Sequence, residues 1–164
     1  MNRFVPEKHH RQSLRLKNYD YSGNGLYFIT ICTHNRINFF GDFGDVQLLS
    51  NDVGMMIDNW YLKLENIYPN IKCHDFITMP NHFHCIIELN NHNQSIGEII
   101  GAFKSCTINE YIKNVHESNW LPFNGKLWQR NFFEHIIRNE DSYLKIADYI
   151  KNNPSNWQKD KYFV

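Results

Sequence analysis

Apolar residues recur along the chain at two different periods, and each change of period marks a new element. Runs rich in β-branched and aromatic residues predict four strands, at residues 25–33, 71–78, 82–89 and 127–137. Apolar positions three and four apart predict three helices, at residues 53–67, from Ser95 to 113, and from Asn139 or Asp141 to about Asn152. Glycines and aspartates in residues 40–50 predict a loop or short hairpin, and residues 114–126 predict a loop.

Local signals indicate where these elements begin and end. Residues 50–52 (Ser-Asn-Asp) offer a helix N-cap, and Ser95 followed by Glu98 has the spacing of a capping box. Pro154 ends the last helix. Residues 79–81 (Met-Pro-Asn) form a tight connection, so the second and third strands are predicted to pair as a hairpin.

The element order β-α-β-β-α-β-α predicts the fold class. The first six elements are those of the ferredoxin-like split βαβ, a four-stranded antiparallel sheet with two helices on one face. The seventh is a C-terminal helix that carries Tyr149. We therefore predict an α+β fold in a single domain of residues 1–164, with an N-terminal arm at 1–20 and a core at 25–154.

Composition narrows the class of protein. Hydrophobic residues make up 42% of the chain and aromatic residues 15%, which is typical of a globular domain. No apolar run is long enough to span a bilayer, and the polar first 20 residues lack the apolar segment of a signal peptide. The four cysteines show no C-x-x-C spacing and are typical of reduced thiols. We expect a cytoplasmic protein with no membrane partner.

The distribution of charge is more informative than its sum. The net charge is zero, which argues against a simple nucleic-acid-binding protein. The arm at residues 1–20 nevertheless holds a local excess of basic side chains. Arg11, Arg15 and Lys17 in this arm are candidates for contacts with a phosphate backbone, and a merely solvated terminus is the alternative.

Two histidines in the third predicted strand are the strongest candidates for chemistry. His82 and His84 flank Phe83, and because side chains alternate across a strand, both imidazoles share one face. Such a pair can hold one divalent metal ion. The spacing alone is weak evidence, because nine histidines give roughly half an occurrence of His-x-His by chance. An ordinary polar pair on a strand is the competing interpretation.

Four segments in a fixed order give this pair its context. They are Tyr-Phe-Ile-Thr-Ile-Cys-Thr at 27–33, Met-Pro-Asn-His-Phe-His at 79–84, Trp-Gln-Arg-Asn-Phe-Phe-Glu-His-Ile-Ile-Arg at 128–138 and Tyr-Ile-Lys-Asn-Asn-Pro at 149–154. Together they resemble the REP-associated tyrosine transposases, within the IS200-like branch of the HUH single-strand transposases. The resemblance runs over most of the chain and is far more specific than His-x-His alone.

The resemblance implies a metal-dependent endonuclease and strand transferase. Proteins of this kind recognise DNA hairpins (REP-like palindromes), cut single-stranded DNA beside them and stay attached through a 5′-phosphotyrosine bond. His82 and His84 match the family's metal ligands, and Tyr149 matches its nucleophile; without the resemblance, Tyr149 is an ordinary packing residue. A hairpin-binding protein without cleavage activity and a metal-dependent hydrolase unrelated to DNA are the alternatives. Monomer and homodimer are both open.

The metal and its third ligand are predicted less directly. The ion is Mg²⁺ or Mn²⁺, and a histidine pair suits Mn²⁺ at least as well, because Mg²⁺ prefers oxygen ligands. Asn153 lies one helical turn after Tyr149 and faces the same way, so its amide oxygen is the predicted third ligand. The family pattern also has a polar side chain there. Asn152 is the neighbouring alternative, and a simple capping role for Asn153 is another.

The segment before the last helix offers weaker candidates. Gln129 and Arg130 are predicted to touch DNA phosphate, and Trp128 either stacks on a base or belongs to the core. His135 either supports the metal site from behind a ligand or makes an ordinary hydrogen bond in the core.

Overall fold

The computed structural model describes residues 24–44, 47–90 and 94–163. Within these ranges the strands are β1 (Gly25–Cys32), β2 (Gly41–Phe43), β3 (Leu48–Ser50), β4 (Ile71–Met79), β5 (His82–Leu89) and β6 (Phe133–Ile137). The α-helices are α1 (Asp52–Ile67), α2 (Ile96–Glu117) and α3 (Glu140–Asn152). Short 3₁₀ segments follow β1 at His34–Arg36 and α3 at Pro154–Lys159. No helix in the described ranges is long and apolar enough to cross a bilayer.

Four of the strands form one antiparallel sheet in the order β4-β5-β1-β6. This is the strand order of the ferredoxin-like split βαβ, so the predicted fold class is confirmed. β4 and β5 form the predicted hairpin across Pro80 and Asn81. The short strands β2 and β3 pair separately, which confirms the hairpin alternative for residues 40–50.

The two faces of the sheet carry different layers. Odd-numbered side chains of β1 and β5, such as Ile29 and Phe83, join α1 and α2 in the main hydrophobic core. Even-numbered side chains face α3, where Ile86 packs with Ile137 and Ile150 in a smaller cluster. The histidines of β5 occupy even-numbered positions, so the alternation of the strand turns them towards α3 rather than into the main core.

The helix starts are where the sequence predicts them. The Asn51 side chain accepts a hydrogen bond from the Gly54 amide at the start of α1, and Ser95 with Glu98 forms a complete capping box on α2. Asn139, rather than the alternative Asp141, caps α3. The predicted loop from residue 114 is wrong at its start, because α2 continues to Glu117.

The fourth strand is much shorter than predicted. Only residues 133–137 pair with β1, and residues 127–132 lie outside the strand apart from one bridge between Thr33 and Trp128. Lys104 of α2 is the physical reason. Its ammonium donates to three successive carbonyl oxygens, of residues 129, 130 and 131, at 2.9, 3.2 and 3.1 Å. Successive carbonyl groups of a strand point in alternate directions. Three successive carbonyl groups that all point to one ammonium therefore cannot continue the hydrogen-bond ladder with β1.

Lys104 therefore carries a stability prediction. Lys104→Met keeps the apolar stem but leaves the three carbonyl oxygens without their donor, which costs about 2–3 kcal/mol of unfolding free energy. Burial already lowers the pKa of Lys104 to about 8. The matched control is Lys113→Met on the same helix, where the side chain is 66% exposed and pairs with Glu117 at the surface. Urea denaturation of both variants checks this; equal midpoints would contradict it.

Candidate active site

The histidine pair lies at the start of β5, directly after the hairpin turn. His82 and His84 are fully buried, at 0% and 1% exposure, and their ring centroids are 4.5 Å apart. The pair therefore shares a face, as the alternation of the strand predicts. Two imidazoles this close and this buried form a preorganised pair rather than two surface side chains.

Each imidazole is held by a hydrogen bond at its Nδ1 atom. His82 Nδ1 lies 2.9 Å from the side-chain oxygen of Asn81, and His84 Nδ1 lies 2.8 Å from the Thr30 hydroxyl. Because the Asn81 oxygen can only accept, His82 carries its proton on Nδ1 and has a lone pair on Nε2. That Nε2 atom is buried and has no hydrogen-bond partner among the described residues. An oriented, unpartnered imidazole nitrogen is the arrangement of a metal ligand.

Both imidazoles are neutral near pH 7. Burial, together with the charges of Lys161 and Arg36, lowers the pKa of His82 to about 3. Burial also lowers the pKa of His84 well below its usual value, and the neighbouring His82 adds to this effect. A metal ligand must present a neutral imidazole, so the environment already provides the form that binds.

Tyr149 projects from α3 towards the pair. Its hydroxyl lies 3.3 Å from His84 Nε2 and 3.4 Å from the Asp160 carboxylate. The ring meets Phe28 edge-on with centroids 6.0 Å apart, and 41% of the residue is exposed. Burial raises the pKa of the Tyr149 phenol to about 12, with the charge of Asp160 as the next cause. The fold thus brings together Tyr149 and His84, which lie 65 positions apart in the sequence.

Asn153 lies one turn after Tyr149 and is buried, at 2% exposure. Its amide nitrogen donates to Asp160 at 3.0 Å, which leaves its amide oxygen buried with no partner in the described chain. The alternative residue, Asn152, instead turns back to Asp148 at 2.9 Å and is exposed. Asn153 is also the C-cap of α3, where its backbone N–H donates to the Ile150 carbonyl, so this capping contact does not use the side-chain oxygen.

Asp160 is the site residue that the sequence analysis missed. The 3₁₀ helix after Pro154 folds the chain back, so that ligand atoms of Asp160, His82 and His84 all lie within 4.8 Å of one another. The carboxylate accepts three hydrogen bonds, from the Tyr149 hydroxyl, the Asn153 amide and the backbone N–H of Tyr162. No spacing relative to the histidines could have revealed it, because the return of the chain is a tertiary feature.

The comparisons with known proteins agree with this geometry. The family model described as transposase IS200 like matches residues 27–153, which is most of the chain. The chain belongs to the IS200-like transposase family. Proteins of this family are enzymes that cleave and rejoin DNA, and this chain is one of them.

The relatives of this IS200-like transposase match most of its length. An uncharacterised protein of Haemophilus influenzae is 35% identical, and the match covers 95% of this chain and 94% of that protein. The REP-associated tyrosine transposase of Escherichia coli is 27% identical over 82% of this chain and 68% of its own. A solved structure of a REP-associated tyrosine transposase bound to a REP hairpin has a TM-score of 0.63 at 20% identity, covering 92% of this chain and 77% of that one. At this identity the structural likeness shows the fold.

The transposase carries a cavity of about 630 Å³ in front of Tyr149. Phe28 and Thr30 of β1 line one side, and Lys159 and Lys161 of the C-terminal segment line another. The cavity is therefore bounded by an aromatic surface, the phenol, two cations and the carboxylates of Asp148 and Asp160. The aromatic surface and the cations are the chemical features that bind bases and phosphates.

The C-terminal segment of the transposase, residues 154–163, is packed over the histidine pair. The rings of Trp157 and Tyr162 lie 5.8 and 4.7 Å from the His82 ring. Asn81 also ties this segment down, because its amide nitrogen donates to the Tyr162 carbonyl at 2.9 Å. This packing, which lies beyond the core predicted at 25–154, is what makes His82 fully buried.

Of the remaining candidates, those that the structure describes do not line this cavity. Arg11, Arg15 and Lys17 lie outside the described residues. Gln129 and Arg130 belong to the segment held by Lys104, and neither lines the cavity. Trp128 is buried and its indole donates to Thr107 at 2.9 Å, so it belongs to the core. His135 is exposed on β6 opposite Phe28, so a core hydrogen bond is wrong for it.

Proposed function

We propose that this transposase cleaves single-stranded DNA in a metal-dependent reaction and stays attached to the new 5′ end through Tyr149. The observation that carries the proposal is the position of the Tyr149 hydroxyl, 3.3 Å from Nε2 of His84 in the buried, neutral imidazole pair. A nucleophile beside a preorganised pair of metal ligands is the arrangement that phosphodiester transfer requires. We further propose that residues 1–164 act as one domain whose basic arm contacts DNA.

The donor set fits a divalent ion, Mg²⁺ or Mn²⁺. His82 and His84 would hold it through neutral imidazoles, and Asn153 would add the amide oxygen that has no partner among the described residues. Asn81 and Thr30 keep the two rings oriented from behind. When bound, the ion would neutralise charge on the phosphate oxygens and on the leaving oxygen.

Asp160 would accept the phenolic proton of Tyr149 when the phenol attacks the phosphate. The phenol must lose its proton as it attacks, since its pKa of about 12 keeps it neutral at pH 7. The Asp160 carboxylate accepts the hydrogen bond of this phenol and is the group in place to take the proton. A bond forms between the Tyr149 oxygen and phosphorus, the bond from phosphorus to the 3′-oxygen breaks, and that oxygen takes a proton from water.

Covalent attachment explains why a tyrosine replaces water as the nucleophile. The phosphotyrosine bond keeps the energy of the broken phosphodiester, so the free 3′-hydroxyl of a second strand can attack it and restore a DNA backbone without ATP. Rejoining is then the reverse of the first step: the 3′-hydroxyl gives its proton to water as its oxygen attacks phosphorus, the bond from phosphorus to the Tyr149 oxygen breaks, and Asp160 returns a proton to the phenol. Cleavage and rejoining therefore use the same residues.

The substrate we propose is a DNA hairpin of the REP type with a single-stranded flank. Support comes from the relatives, since the Escherichia coli relative is named a REP-associated tyrosine transposase and the solved structural neighbour is described as bound to a REP hairpin. The net charge of zero means that the grip on phosphate depends on local cations, such as Lys159 and Lys161 at the cavity.

Covalent trapping tests the proposal. The protein is mixed with labelled single-stranded DNA carrying the palindromes that flank its gene, with Mn²⁺, Mg²⁺ or a chelator, and separated on a denaturing gel. We expect an adduct only with metal, and peptide mapping of that adduct to the segment containing Tyr149. Tight hairpin binding without an adduct would instead favour a DNA-binding protein that does not cut.

A further inference from the structure

Phe133 is a partly exposed aromatic side chain on the edge strand of the sheet, on the face that carries the histidine pair. It is the first residue of β6 and is 46% exposed. In the register of the sheet Phe133 lies opposite Thr30, and Thr30 lies opposite His84. Directly opposed residues of neighbouring antiparallel strands share a face, so Phe133 is on the same face as the histidine pair.

The register also sets the distance from the reacting centre. Neighbouring strands are about 4.8 Å apart, so Phe133 lies two strands and roughly 10 Å from the His84 backbone. One row further along the sheet, Phe28 lies opposite the exposed His135. Phe28 itself contacts both His84 and Tyr149. Aromatic surface thus continues from the nucleophile across the sheet towards its open edge.

A cation accompanies this aromatic surface. The Lys161 ammonium lies 5.1 Å from the centroid of the Phe133 ring and 4.8 Å from that of Tyr162. Lys161 also lines the cavity in front of Tyr149. An exposed aromatic face for a base and an ammonium for a phosphate are the two halves of a site for a single-stranded nucleotide. Phe133 has no part in the machinery proposed above, whereas Lys161 is one of the cations already proposed to hold phosphate.

We infer that Phe133 is a stacking platform for a base of the single-stranded flank, next to the nucleotide whose phosphate is attacked, with Lys161 on the adjoining phosphate. This inference rests on the proposed function in one respect, namely that the substrate is single-stranded DNA. Lys161 exchanges its contact with the ring for the phosphate, which frees the ring for the base. An aromatic ring can stack on any of the four bases. The platform would therefore position the single-stranded flank whichever hairpin sequence the protein recognises.

The test is a binding experiment in a Tyr149→Phe background, which prevents cleavage. The probes are a labelled 12-nucleotide oligothymidylate and a 12-unit strand with the same backbone but no bases. Phe133→Ala is expected to weaken binding of oligothymidylate by roughly 5- to 150-fold, the effect of losing one stacked base, and to leave binding of the base-free strand unchanged. Lys161→Ala is expected to weaken both, because it acts on phosphate.

Two further variants separate stacking from folding. Phe133→Trp keeps an aromatic surface and is expected to bind oligothymidylate as tightly as the parent. Leu62→Ala removes a side chain that is 54% exposed on α1, across the sheet, and is expected to change nothing. A 5-iodouracil strand should also crosslink under light to the peptide that contains Phe133.

The outcomes distinguish this inference from the proposed function. If Phe133→Ala binds oligothymidylate as the parent does, or weakens both strands equally, the platform is overturned, whatever the trapping experiment gives. If the wild-type chain forms no adduct but the stacking pattern appears, the cleavage mechanism fails and the platform stands.

Discussion

Tyr149→Phe is expected to abolish cleavage and covalent attachment while leaving the fold and hairpin binding intact. The change removes one hydroxyl whose polar contacts are long, at 3.3 and 3.4 Å, and keeps the ring against Phe28. Stability should therefore change by less than about 1 kcal/mol. Removal of a nucleophile typically costs enzymes on the order of 10⁴-fold or more in rate, so no adduct should be detectable.

The chain offers a matched control on the same helix. Tyr143 also lies on α3, and its hydroxyl donates to the Asp75 carboxylate at 2.9 Å. Tyr143→Phe removes an equivalent hydroxyl away from the histidine pair, so cleavage should continue at the parental rate. Trapping assays on both variants, with hairpin affinity measured by anisotropy, provide the comparison. An adduct that persists in Tyr149→Phe would place the nucleophile on another residue.

The fold was predictable where local signals and burial agree. Capping residues such as Asn51 and Ser95 fix where helices begin, and the alternation of β5 turns its histidines to one face. The error at residues 127–132 has the opposite cause. Those residues have the composition of a strand, but Lys104 of a distant helix gathers their carbonyl oxygens, and no local pattern reports a tertiary contact of this kind.

The candidate site also contains residues that local sequence patterns predict and residues that they do not. The histidine pair, Tyr149 and Asn153 each lie in a segment with a regular period, so their directions follow from strand alternation and the helical turn. The positions of Asp160 and Phe133 depend on geometry that no periodic pattern in the sequence reports. Asp160 reaches the site through the 3₁₀ turn after Pro154, and Phe133 through the register of an edge strand. The sequence therefore indicates the proposed metal ligands and nucleophile more readily than the residues that surround them.

Removal of either histidine that we propose as a ligand should weaken metal binding strongly and abolish cleavage. His84→Ala and His82→Ala are each expected to lower the affinity for Mn²⁺ by at least about 100-fold, since loss of an outer partner alone costs 10- to 100-fold. The control is His74→Ala on β4. The His74 imidazole does not belong to this site and pairs with the Glu88 carboxylate at a distance of 2.8 Å. Titration of Mn²⁺ followed by electron paramagnetic resonance measures the affinity, and thermal unfolding confirms that each variant is folded.

The same titration separates the roles of Asn153 and Asp160. If Asn153 is the third ligand and Asp160 the proton acceptor, Asn153→Ala lowers the affinity for Mn²⁺, whereas Asp160→Asn keeps it within a few-fold and slows cleavage. Asp160→Asn preserves the shape of the side chain but cannot take the phenolic proton. An equal loss of Mn²⁺ affinity in Asp160→Asn and His84→Ala would make the carboxylate a ligand instead. The phenol would then need another acceptor, and His84 Nε2, at 3.3 Å, is excluded if it binds the ion.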